Sequence, residues 1–153
     1  MEPRTAEETL TLLIADLFEA AGMLRRAGDA LAGRVGQTQS RWQLLSVVSE
    51  GDWTVAAAAR RLGISRQAVQ KVANALAHDG LVNLEANPTH RRAPLLRLTP
   101  TGTQALTTIT ANTRTWHTRM SRGLSMEDLE SGRHLLRTLS ARAAAAAAAD
   151  TEI

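Results

Sequence analysis

"TVAAAARRLGISRQAVQKVANALAHDGLV", residues 54–82, holds two helix starts and two helix stops. Thr54 and Ser65 are residue types that cap helix N-termini through their hydroxyls. Gly63 and Gly80 stand where a helix ends in the left-handed conformation. A wheel at about 100° per residue divides the second helix into two faces. Ala68, Val69, Val72 and Leu76 fall on one side, with Ile64 just ahead of the helix. Gln67, Gln70, Lys71 and Asn74 fall on the other, flanked by Arg66 and preceded by the capping Ser65. One face is core and the other is displayed. A short helix, a tight glycine-containing turn and a second amphipathic helix in succession make helix-turn-helix grammar.

Upstream, Thr5 to Glu8 has capping-box spacing. Behind it Leu10, Leu13, Ile14, Leu17, Phe18, Ala21 and Leu24 recur on one helical face. This predicts a helix to about residue 32, ending near Gly33 and on the order of 40 Å long. A lobe of this size cannot cover such a helix along its whole length, so a partner is implied. Thr38 caps a second predicted helix through Trp42, Leu44, Leu45 and Val48, stopped by "EGDW" at residues 50–53.

Downstream, "LVNLEANPTHRRAPLLRLTPTG", residues 81–102, reads as two short strands, Leu81 to Glu85 and Leu95 to Thr99. The loop between them holds Asn87, Pro88, Arg91 and Arg92. Pro94 lacks a ladder donor, which predicts an edge position for its strand. A lone hairpin is marginal and must lean on the helices. Thr99 and Pro100 start a fifth helix, through Leu106, Ile109 and Trp116 to about residue 121. Ser125 with Glu127 and Asp128 starts a sixth, carrying Leu129, Leu136 and Leu139 into an alanine run read as a helix extension. The fold class is mainly α with a small β-hairpin.

Composition narrows the function. The 153 residues include no cysteine, which excludes disulfides, thiolate metal sites and a thiol redox sensor. Net charge is only +3, yet the isoelectric point is about 10.8 because arginine supplies nearly all the positive charge. Between residues 41 and 97 the chain carries Arg41, Arg60, Arg61, Arg66, Lys71, Arg91, Arg92 and Arg97 against Glu50, Asp52, Asp79 and Glu85. Eight bases less four acids leave +4 there, so the flanks are together slightly negative. That asymmetry is the electrostatic footprint expected where phosphates bind. His78, His90, His117 and His134 have no paired ligand spacing, which argues against a metal site. No nucleophile elbow, Gly-rich phosphate loop or paired carboxylates support an enzyme or a cofactor. Trp42, Trp53 and Trp116 read as core and interface packing. No apolar run reaches membrane-spanning length and the first residues lack an apolar signal core, so a soluble cytoplasmic protein is expected.

In its order of long helix, "TQSRWQLLSVV" at 38–48, the stretch quoted first, and a basic loop closing in "RRAPLLRLTPTG" at 91–102, the chain resembles the MarR (multiple antibiotic resistance regulator) family of winged helix-turn-helix regulators. The resemblance covers nearly the whole chain, and the wing is its most specific part. It implies a single MarR-like domain over residues 1–153, with a DNA-binding lobe at about 38–99 and dimerisation helices at about 5–33 and 100–148. It also implies a homodimer on double-stranded DNA and a small-molecule pocket between lobe and dimer region. In the family the wing commonly reads Asp-x-Arg, the aspartate orienting the arginine that enters the minor groove; here His90, Arg91 and Arg92 stand there. Arg92 therefore lacks its usual buttress.

These readings converge on a homodimeric, non-enzymatic transcriptional regulator that binds a near-palindromic operator, acting as a repressor released by a small-molecule ligand. Ser65, Arg66, Gln67, Gln70, Lys71 and Asn74 are the expected contacts to the major groove and its phosphates, and Arg91 and Arg92 those of the wing. Glutamine and asparagine can read adenine bidentately, while arginine and lysine read guanine or phosphate. By resemblance a small aromatic acid is the expected effector, with Arg41 and Trp42 near its pocket. The alternative is a helical dimeric module that binds a protein or metabolite through a winged fold that has lost DNA contact. Acids or aliphatics on the displayed face of residues 66–74 would favour it; the face carries amides and bases.

Overall fold

The computed structural model of the chain describes residues 4–149. In chain order the elements are α1 (Ala6–Gly33), α2 (Gln39–Ser49), β1 (Trp53–Thr54), α3 (Val55–Leu62), α4 (Arg66–His78), β2 (Val82–Glu85), β3 (Leu95–Leu98), α5 (Pro100–Met120) and α6 (Met126–Ala149). The described residues form two compact units, one through Arg114 and one from Thr115.

Local chemistry places the helix ends. Thr5 and Glu8 form a reciprocal capping box at the start of α1. The hydroxyls of Thr38, Thr54 and Ser65 accept from the backbone N–H three residues on, at Arg41, Ala57 and Ala68. Gly63 turns α3 into α4 at φ +66°, a left-handed conformation that a side chain would strain. The far end of α1 is tied to α2: Asp29 Oδ1 accepts from the N–H of Gln39 at 2.9 Å.

In the first unit, α2, α3 and α4 enclose one core. Leu44 and Leu45 of α2, Ala58 of α3, Val69, Ala73 and Leu76 of α4, and Val82 and Leu96 of the sheet are fully or almost fully buried. Ile109 of α5 joins them, so the early turns of α5 belong to the same core. In α1, by contrast, only Gly28, Leu31 and Ala32 are buried. In the second unit, no residue of α6 is buried among those described.

Three sequence readings need correction. The sheet has three strands, in the order β1-β3-β2, because Trp53 and Thr54 pair antiparallel with Leu96 and Leu95. The strand after Pro94 is accordingly central and not an edge. Pro94 lies one residue ahead of the ladder, where its missing N–H is not needed. Ala68, assigned to the core face of α4, is exposed. It lies in the first turn of α4, ahead of the first buried anchor, Val69.

Candidate nucleic-acid interface

The turn at Gly63 and the cap at Ser65 fix how α4 leaves the core. Val69, Ala73 and Leu76 anchor its inner face, and the rotation of the helix then presents Arg66, Gln67, Lys71 and Asn74 to solvent. Gln70 is half-buried and its amide Nε2 donates to Oδ1 of Asn74 one turn on, at 2.8 Å. The first turn of α4 carries no acid, so nothing offsets its positive helix end.

The wing reaches the same face. Arg66 and Gln70 of α4 line one concavity together with Leu84 of β2, and Arg92, Ala93 and Pro94 of the loop leading into β3. Arg91 lies outside that concavity, at the wing tip beside Asn87 and Pro88. The structure therefore brings Arg66, Gln70 and Arg92 together, and Arg91 flanks them.

A residue that the sequence reading placed in the loop, without a role there, shapes it. Asn87 is a buried polar side chain in an otherwise exposed hairpin tip. Its Nδ2 donates to the carbonyl of Ala93 at 2.9 Å, and its Oδ1 accepts from the backbone N–H and the hydroxyl of Thr89, at 3.0 and 2.7 Å. The backbone N–H groups of His90 and Ala93 donate to Asn87 and His90 carbonyls. The loop is thus braced from Asn87, three positions before His90. The signal was available: an Asn-Pro pair favours a turn in which the Asn side chain bonds the backbone two residues on.

Ion pairing separates the bases of the lobe into two groups. Arg97 bridges Asp52 and Glu85, holding the base of the sheet. Arg41 Nη2 donates to Asp79 Oδ2 at 2.5 Å, tying the start of α2 to the end of α4. Hydrogen bonds from His78 and then from Arg41 hold the Asp79 carboxyl below the usual carboxylate range. Among the described residues no salt bridge engages Arg66, Lys71, Arg91 or Arg92. The cations of the lobe left for an outside anion are those of α4 and the wing, together with Arg60 and Arg61 at the end of α3.

Trp42 lines a shallow depression with Gln39, Gln43, Glu50 and Arg61 between α2 and α3, whereas Arg41 faces Asp79. Among the described residues no group of His, Asp and Glu could hold a metal ion. No helix among them is long and apolar enough to cross a membrane.

A sequence profile of the MarR family matches residues 36–93, the span from the turn before α2 through the wing. A Mycobacterium tuberculosis protein, itself uncharacterized, is 47% identical over 132 residues, covering 86% of this chain and 92% of its own. The chain belongs to the MarR family. It has the winged-helix fold of that family. Two solved structures share that fold. CouR from Rhodococcus jostii RHA1, bound to p-coumaroyl-CoA, matches with a TM-score of 0.75 at 18% identity, over 90% of this chain and 96% of that one. A mutant MarR from E. coli complexed with operator DNA matches with a TM-score of 0.72 at 15% identity, over 89% and 99%.

Proposed function

We propose that this MarR-family chain is a homodimeric, sequence-specific DNA-binding regulator that represses transcription in the cytoplasm until a small-molecule ligand releases it. One observation carries the reading: Arg66, Lys71, Arg91 and Arg92, uncommitted to any internal carboxylate, lie on α4 and the wing beside the amides Gln67, Gln70 and Asn74. Bases without internal partners attract phosphate, and amides beside them discriminate base edges. Ser65, whose hydroxyl is spent on the cap, contributes position and its exposed place at the helix start. The operator-bound MarR, similar in fold, supports the same use of this face.

In this reading residues 38–99 form the reading lobe, and residues 5–33 and 100–148 the dimerisation segments. Exposed apolar side chains on α1, including Leu10, Ile14, Leu17 and Phe18, support a second copy as their cover. So do Met126, Leu129, Leu135 and Leu136 on α6. The ligand-bound CouR supports regulation by a small molecule, here an aromatic acid with Trp42 and Arg41 at or near its site.

Footprinting on DNA flanking the protein's own gene tests the proposal. Protection of two symmetric half-sites centred about 10 base pairs apart is expected. Arg92→Ala should weaken that binding and flatten its salt dependence, because fewer counterions are released. Equal affinity for every DNA tested, at every salt concentration, would overturn sequence-specific regulation.

A further inference from the structure

On the displayed face of α4, the bond from Gln70 Nε2 to Asn74 Oδ1 restricts what Gln70 can offer a base. A glutamine amide has two N–H donors on one end and a carbonyl acceptor on the other. Guanine presents two acceptors to the major groove, N7 and O6; adenine presents one acceptor, N7, and one donor, N6–H. An unrestrained glutamine can turn its amino end forward and give both hydrogens to guanine, or turn its edge forward and match adenine. Asn74 takes one of the two hydrogens. What remains is one N–H and the carbonyl oxygen, the set complementary to adenine, and against guanine that oxygen would face O6, acceptor against acceptor.

Packing adds to the restriction. Gln70 is half-buried in the concavity shared with Arg66, Leu84, Arg92 and Pro94, so its stem has few alternative rotamers. Asn74 is exposed, and nothing in the core depends on it. We infer that Asn74 is a positioning residue for Gln70, and that the pair makes α4 select adenine over guanine at one base pair of each half-site.

The assignment rests on the DNA-reading function proposed above, and the experiment separates the two. Full-length wild type, Gln70→Ala, Asn74→Ala and Asn74→Asp are each used to select from a random pool of double-stranded DNA, and affinities are then measured on the selected site and on its adenine-to-guanine variants. Wild type should prefer adenine by about tenfold or more at the position whose preference Gln70→Ala abolishes. Asn74→Ala should lower that adenine-to-guanine ratio by at least about fivefold, with helix content by circular dichroism unchanged, since alanine is a strong helix former. Asn74→Asp keeps the acceptor and should retain the ratio. Its added charge weakens both sites alike and cancels in the quotient. A full adenine preference in Asn74→Ala, an Asn74→Asp ratio as low as that of Asn74→Ala, or a Gln70-dependent position that is not adenine would each overturn the inference while leaving DNA recognition standing. Failure of the wild type to enrich any sequence would overturn both.

Discussion

Asn87 and Asp79 illustrate how single polar side chains set the geometry around the face proposed to meet DNA. Asn87 links Thr89 to Ala93 across the wing tip, and its removal would leave the Ala93 carbonyl without that partner. Asn87→Ala should cost about 1–3 kcal/mol locally and speed amide exchange of residues 86–94, with weaker operator binding. Exchange rates in that loop identical to wild type would show that the bracing lies elsewhere. Asp79 has its folded-state pKa below the unfolded value of about 3.9. Stability from its bonds to His78 and Arg41 is therefore fully present above about pH 4 and is lost as the pH falls through the depressed folded value. Denaturation curves between about pH 2.5 and 6 should show a shallower acid loss for Asp79→Asn than for wild type. Superimposable pH profiles would remove Asp79 from the acid response.

Among the elements, the junction of wing and α5 is closely constrained. Thr99 donates its hydroxyl to the carbonyl of Gly80 at 2.6 Å and accepts from the N–H of Gly102 at 2.9 Å. The backbone N–H of Thr99 donates to the carbonyl of Leu81. These bonds bring the first turn of α5 against Leu81 so closely that a Cβ at Gly102 would collide with the Leu81 carbonyl. The motif "LTPTG" thus joins the end of α4, the sheet and α5 by physical necessity at its threonine and its glycine. Gly102→Ala should lose about 1–3 kcal/mol despite the better helix propensity of alanine. Thermal unfolding is the check, and an unchanged or raised Tm would mean that the backbone shifts there without strain.

At the scale of the whole molecule, the lobe is satisfied by its own core, whereas α1 is not. Phe18 is 75% exposed, and Leu12, Met23 and Leu24 are each about half exposed, on a helix of 28 residues. Left in water, such a helix would favour aggregation or a partner. Sedimentation should find a dimer at micromolar concentration, and Phe18→Glu should weaken association by at least about tenfold, since a charge would have to be buried where an aromatic ring belongs. A wild-type chain that sediments as a monomer at that concentration would remove the proposed interface.

The helix boundaries were legible because they are local. A hydroxyl at Thr5, Thr38, Thr54 or Ser65 bonds an N–H three residues away, and Gly63 relieves a strain within its own residue, so neighbouring letters suffice to find them. The displayed set on α4 was legible for a similar reason, since helical period determines angle around the axis. What that period does not contain is how far along the helix a neighbour extends. Ala68 has a core-facing angle, yet no element covers it. The strand at Trp53 and Thr54 is two residues long, too short for alternation to register, and exists because Leu95 and Leu96 supply its partners some forty residues on. Arg41 and Asp79, or Arg97 and Asp52, are likewise joined only when the core closes. The sequence by itself determined that the lobe is basic; the tertiary structure decided which bases remain unpaired, because an ion pair between distant residues depends on packing and not on order along the chain.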